Sequence, residues 1–382
     1  MNLTRFNRLV LVSVFGTIFA GCTSLRLERY VRTESSDWTT CGGTIERSNS
    51  TSTSIEPPLE LKWEYNASAG FGTGSPLVAD STVFIGTLQG ELHAVRIRDG
   101  EPVGYKAFKS AIVGAPVLQG NIVYVTSALD EPTLIAYNIA LAKEVWARDV
   151  GPIETSPLLV GKKLIVATLS GAVVCVDESQ GEEIWRYESK KQIHSSPASD
   201  GSLVVFGGDD GSITGLHLHD GTLAWTVQTE SSVFAPPAIE GRTAFIGSTD
   251  ENFYAVGLED GVVRWKRNLE SKVYGGAAVA SGSVFVGTVN GTLYALDTKD
   301  GATRWFFRAE SVIDSAPLAA GNTLYVGSLD TFLYALDART GQLLWQYRTK
   351  GRIKTNLAAW RNYLIVASED ETLYAFQPKN PG

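Results

Sequence analysis

The stretch VFVGTVNGTLYALDTKDGATRW, residues 284–305, decides the fold, and LYVGSLDTFLYALDARTGQLLW, residues 324–345, repeats it. The tryptophan that closes the unit recurs at Trp146, Trp185, Trp225, Trp265, Trp305 and Trp345, in steps of 39, 40, 40, 40 and 40 residues. A fixed period of about 40 with several short strands per unit marks a propeller or a solenoid. Alternating apolar positions and β-branched or aromatic content predict strands over 283–288, 292–297 and 302–307, with a fourth around 275–280. Asn290-Gly291 between two of them predicts a type I′ hairpin, which needs φ > 0 at both central residues. Asp210-Gly211 repeats that signal, and Gln89-Gly90 and Ser170-Gly171 are weaker forms of it. At Asp250-Glu251, Asp330-Thr331 and Asp370-Glu371 the glycine is replaced, so strained or altered loops are expected there.

A four-stranded sheet of this size cannot bury both faces alone. Stacking such sheets around an axis does so and leaves only short, protected edges. The second strand recurs around Val83, Val123, Ile165, Val205, Phe245, Phe285, Tyr325 and Ile365, which counts eight units. The chain ends on the third strand of a unit, and the missing strand stands at the other end as residues 61–65, carrying Trp63. The expected fold is therefore all-β: an eight-bladed β-propeller of four-stranded antiparallel blades, closed by an N-terminal strand that completes the last blade.

Composition agrees, with 44% hydrophobic, 10% aromatic and 19% charged residues. A net charge of −8 carries no electrostatic footprint of a nucleic-acid binder. Arg5 and Arg8 precede an apolar run, residues 9–20, too short to span a bilayer, and this reads as a signal peptide over 1–21. The sequence Phe19-Ala20-Gly21-Cys22 resembles the bacterial lipobox, which implies cleavage before Cys22 and lipidation of its thiol. Thr23, where an Asp would favour inner-membrane retention, leans towards an outer-membrane lipoprotein facing the periplasm. Residues 22–58 read as a lipidated, Ser/Thr-rich tether, with 59–377 as the propeller and 378–382 as a tail. Within the tether, Asp37-Trp38, Cys41-Gly42-Gly43 and Arg47 resemble a segment that precedes propellers of this repeat type, with Trp38 expected on the outside of the ring.

The phrase Tyr294-Ala295-Leu296-Asp297, Gly301 and Trp305 resembles the pyrroloquinoline-quinone-type propeller repeat, over about residues 59–377. Two groups share that repeat. One is the quinone-dependent dehydrogenases, which the resemblance would supply with quinone and Ca²⁺. Those enzymes are longer, with insertions that build the quinone pocket, and many carry a disulfide between adjacent cysteines; this chain has no Cys-Cys and no such insertion. The other group is the periplasmic lipoproteins similar to the outer-membrane assembly factor BamB, and length, lipobox and bare blades match it. The resemblance implies a non-enzymatic scaffold that binds a protein partner, the barrel-assembly machinery, and needs no cofactor. The alternative is a small-molecule sensor or a quinone-dependent oxidoreductase.

Candidate site residues come from aligning the units on Pro76, Pro116, Pro157, Pro197, Pro237 and Pro317, with Ala277 and Leu357 at the two other places. Four residues earlier stands Ile or Val in every unit but the first, where Gly72 replaces it. Three residues earlier the copies diverge completely, as Thr73, Val113, Glu154, His194, Phe234, Tyr274, Asp314 and Lys354. A position that varies while its neighbours repeat is free of the packing demand. In a propeller it lies at one mouth of the channel, where Glu154 would meet His194, Phe234 would meet Tyr274 and Asp314 would meet Lys354. This ring reads as a ligand or peptide site, or as a solvated rim that drifted without selection. His93, His217 and His219 have no Cys or carboxylate at a spacing that completes a metal site. Cys175 reads as a small core residue, and its spacing from Cys41 gives no reason for a disulfide.

Overall fold

Each repeat folds into one antiparallel sheet, and eight such sheets form the ring. The structure, a computed structural model, describes residues 25–27, 30–32, 34, 37–189 and 191–379. Cys22 and the signal-peptide stretch lie outside the described residues. Blade 6 shows the pattern, with strands Ala278–Ala280, Ser283–Gly287, Thr292–Asp297 and Thr303–Arg308 paired in that order. The second strand is buried throughout, whereas the fourth alternates between half-buried and exposed positions. The short first strands of successive blades meet around the axis, and that of blade 8 meets that of blade 1. Leu59–Asn66 pairs antiparallel with Thr372–Pro378, so the N-terminal strand closes the last blade as expected.

The hairpin loops differ from the expectation. Gly291 has φ +83°, but Asn290 does not enter the left-handed region. Gly291 donates to the Thr288 carbonyl at 3.0 Å, and Thr288 donates to the Thr292 carbonyl at 3.0 Å. This is a turn across 288–291 followed by one left-handed residue, which offsets the strands by one position. Glu251, Thr331 and Glu371 hold the same place at φ +70°, +77° and +64°. The loop geometry is thus kept without glycine, and backbone strain is accepted in its place.

Blade-to-blade adhesion rests on one repeated contact. The Trp185 indole Nε1 donates to the Leu218 carbonyl of the next blade at 3.0 Å. Gly221, at φ +72°, lies against the same ring, where a Cβ would stand 2.5 Å from Cε3. Trp63, Trp146, Trp225, Trp265 and Trp305 make the corresponding bond, to Ile97, Glu178, Leu258, Thr298 and Ala338. Trp63 on the closing strand therefore docks blade 8 onto blade 1. The repeated aspartate of the phrase fixes the turn that carries the glycine: Asp177 Oδ1 accepts from the Ser179 and Gln180 amides.

Two junctions lack this contact. Between blades 1 and 2, Gly104, paired with Ala94, stands in place of tryptophan and Ala142, at φ +52°, in place of glycine. Between blades 7 and 8, the turn is missing because the outer strand of blade 8 comes from the other end of the chain. The segment before the propeller fills both. Leu25 is fully buried and bonds the Tyr105 carbonyl at 2.9 Å, and Leu27 bonds that of Ile139 at 2.8 Å. At the other junction the Ile55 carbonyl accepts from the Tyr325 hydroxyl at 2.8 Å.

Between those points the chain threads the channel. Trp38 exchanges two hydrogen bonds with Val78 on the first strand of blade 1. Carbonyls of Thr39, Ile45, Glu46, Ser48 and Asn49 then accept from first-strand amides of blades 2, 4, 5, 6 and 7. Ser50–Thr51 finishes as a parallel fifth strand of blade 7. Residues 38–51 thus run along the inner strands, and Trp38, expected on the outside of the ring, pairs with an inner strand instead. The free amides of the inner strands are an edge that must be satisfied, and the Ser/Thr-rich stretch satisfies them from inside. Arg47 is carried with it and is 2% exposed.

Candidate functional site

The threaded segment turns the channel into a cup. All eight divergent positions line one cavity of about 320 Å³ at the mouth. Glu154, His194, Phe234, Tyr274, Asp314 and Lys354 are thereby brought together, with Thr73 and Val113 completing the circle. Each lies in the short loop that leads into a first strand and, except for Thr73 after Gly72, is held by the buried Ile or Val before it; Ile153, Ile193 and Val233 are 0% exposed.

The pairing within the circle is partly as expected. Phe234 and Tyr274 stack, with centroids 5.6 Å apart and planes at 7°. His194 packs edge-on to Phe234 at 5.4 Å. His194 Nδ1 bonds Asp209 at 3.0 Å, however, and Glu154 makes no ion pair with it. Asp209 follows the second strand of His194's own blade, so it reaches the imidazole at shorter range than a neighbour across the mouth. Asp314 and Lys354 do not close to an ion pair either, although they influence one another electrostatically. Burial pushes the Asp314 carboxyl above its ordinary range, and the Lys354 charge offsets only part of that rise. Glu154 and Lys354 make no hydrogen bond or ion pair among the described residues, so both present free charge to the cavity.

The floor was not legible in the repeat. The residue just before the aligned proline carries a belt of hydrogen bonds from blade to blade. The Ala115 amide donates to Ser156 Oγ at 2.9 Å, the Ser156 amide to Ser196 Oγ at 2.9 Å, and the Ala316 amide to Asn356 Oδ1 at 2.7 Å. Cys41 of the threaded segment sits at the centre of that belt and lines the cavity from below. Variation just before the proline, from Ser to Ala, Pro, Gly and Asn, is the sequence signal that marks this layer. His217 and His219 lie elsewhere, on the outer side of blade 4, and no group of three metal-ligating side chains occurs among the described residues.

A profile of the family described as outer membrane protein assembly factor BamB matches residues 60–160, 143–273 and 265–380. The chain belongs to that family. A curated BamB from Marinobacter adhaerens is 28% identical over 139 residues, 35% of this chain and 35% of that one. The alignment therefore spans about a third of the relative's length. The crystal structure of BamB from Moraxella catarrhalis superposes with a TM-score of 0.72 at 18% identity, covering 84% of this chain and 99% of that one. A quinohemoprotein alcohol dehydrogenase from Comamonas testosteroni gives 0.77 at 14% identity, covering 90% and 81%. At such identities the likeness shows a shared propeller and does not separate the scaffold from the enzyme.

Proposed function

We propose that this BamB-family chain is a non-enzymatic scaffold of outer-membrane protein assembly, anchored through a lipid on Cys22 and facing the periplasm. The observation that carries the reading is the family match, which runs across all eight blades. The cavity supports it from the chemical side. A quinone tricarboxylate would meet Glu154 and Asp314 in the same circle, with Lys354 as the one lysine beside them. The described residues supply no cluster of three His, Cys, Asp or Glu side chains that would bring the carboxylates a Ca²⁺ partner uses. The residues present do not fit that cofactor pair, and no chemistry is derived through it.

In this reading the propeller binds protein partners of the barrel-assembly machinery. The circle of Glu154, His194, Phe234, Tyr274, Asp314 and Lys354 takes an extended segment or a small polar group, the stacked aromatics supplying area and the free charges orientation. The deciding experiment is a cross-linked pull-down from the native membrane, read by mass spectrometry. Recovery of an outer-membrane barrel-assembly component supports the proposal. Its absence, with quinone- and Ca²⁺-dependent dye reduction by the purified protein, would replace it with the oxidoreductase. A Cys22→Ser variant tests the anchor: soluble or unprocessed protein is expected, and fully processed membrane-bound protein would overturn it. Replacing all six mouth residues with alanine tests the site. Folding should persist and complementation fall, whereas full complementation would assign the divergence to drift.

A further inference from the structure

Arg47 is the largest fully buried side chain of the molecule among the described residues. Its guanidinium donates to the carbonyls of Pro197 at 2.7 Å, Cys41 at 3.1 Å and Ser156 at 2.9 Å. Burial pulls its ionisation down from a value so high that it stays charged. No carboxylate pairs with it among the described residues. A buried cation with only neutral acceptors is costly unless an anion is near, and the group that can become one is the Cys41 thiol.

The surroundings of that sulfur are built for an anion. Asn356 Nδ2 donates to Cys41 Sγ at 3.6 Å. The Ser156 and Ser75 hydroxyls lie near enough to the same atom to favour its ionised form. Ser75, 1% exposed, has no hydrogen-bond partner among the described residues, so a buried hydroxyl with its bonding capacity unspent stands beside the sulfur. Burial alone would raise the Cys41 thiol. The Arg47 charge and the donors from Asn356, Ser156 and Ser75 outweigh it and leave the thiol below its ordinary range. The other charged groups facing the cavity are Glu154, His194, Asp314 and Lys354. Both cysteines are free and buried; Cys175 is the internal contrast because it lies in the apolar core between blades, where burial pushes its thiol up to about 12.

We propose that Cys41 is a reactive thiolate at the base of the cup, which forms mixed disulfides with low-molecular-weight disulfides that enter the channel mouth. The thiol's proton leaves to solvent. The sulfur then attacks one sulfur of a small disulfide R–S–S–R, a sulfur–sulfur bond to Cys41 forms, the reagent's own S–S bond breaks, and R–S⁻ departs with the electron pair. Cys41 is oxidised and the departing half of the reagent reduced; excess small thiol reverses the step. A cavity of about 320 Å³ admits such a molecule and excludes a folded protein's cysteine.

The test uses the full chain in detergent, as a Cys22→Ser/Cys175→Ser variant that leaves Cys41 alone and a Cys22→Ser/Cys41→Ser variant that leaves Cys175 alone. The probe is a nitrobenzoate disulfide, whose cleavage releases one coloured thiolate per cysteine. The Cys41-only protein should react at least ~10-fold faster than the Cys175-only protein at neutral pH, since the thiolate fraction outweighs the lower nucleophilicity of a low-pKa sulfur. Its rate should hold below the ordinary thiol midpoint of about 8.5. Should either variant fold poorly, mapping the adduct by mass spectrometry in the natural chain gives the same answer. Equal rates at the two sites, an adduct on Cys175 alone, or a rate that falls away at or above the ordinary midpoint would overturn the proposal.

Discussion

Replacing Gly221 with alanine should cost far more than the same change at Gly241, and the gap measures the contact that holds the ring together. Both glycines lie in the left-handed region, at φ +72° and +57°. Alanine pays ~1 kcal/mol there whatever surrounds it. At Gly241 nothing lies within 4 Å of the added Cβ, so that is the whole cost. At Gly221 the Cβ would stand 2.5 Å from Trp185 Cε3 and 2.6 Å from Cδ2, and the indole, tied at Nε1 to the Leu218 carbonyl, has little room to yield. Forced overpacking adds ~2 kcal/mol, and a displaced indole weakens its 3.0 Å bond to Leu218 by ~1 kcal/mol. The expected totals are about 4 kcal/mol against about 1. Urea unfolding followed by far-ultraviolet circular dichroism reads the difference as a shift in midpoint at unchanged slope. Equal costs at the two sites would refute the claim that the tryptophan needs a glycine beneath it.

Three further outcomes follow from the same structure. Thr331→Gly should stabilise by ~1 kcal/mol, because a β-branched residue is held at φ +77°; a loss on thermal or urea unfolding would contradict the strain. Asp314→Asn should stabilise at neutral pH. The folded carboxyl lies above its ordinary value of 3.8, so the native state binds more protons than the unfolded chain through that window and the wild type loses stability as pH rises across it. The gain should therefore vanish at acid pH, and a gain independent of pH would count against it. Leu25→Ala should cost ~2–4 kcal/mol by emptying a fully buried site at the junction of blades 1 and 2; an unchanged melting profile would show that the segment does not act as a wedge.

The tryptophan, the aspartate and the glycine of the repeat were legible because a single contact is stamped many times, at a constant interval, into the chain. Residues 38–51 were not, since they pass from blade to blade without repeating a phrase and leave no period. Their serines and threonines read as a linker because small polar residues serve equally in solvent and along the inner strands. Gly42 and Gly43, at φ +78° and +81°, were the local hint that this stretch bends for a purpose. The mouth residues could be chosen by their divergence, which isolates the one place where the ring makes no packing demand. Their pairing could not, because Asp209 reaches His194 from within the blade, and no alignment of repeats places a side chain from the next loop.

The threading also sets the order in which the molecule can be finished. Residues 25–66 are made before any blade, yet Asn49, Ser50 and Thr51 bond blade 7, and Leu59–Asn66 pairs with Thr372–Pro378. The oldest part of the chain must wait unpaired until the youngest arrives. Arg47 stays in water until the carbonyls of Ser156 and Pro197 are in place. A nascent chain stopped short of its last forty residues therefore holds an open arc with an unsatisfied leader, a species for proteases and chaperones to find. Completion of the final strand locks both ends at once, so the ring carries in its topology a check that synthesis has run to the end.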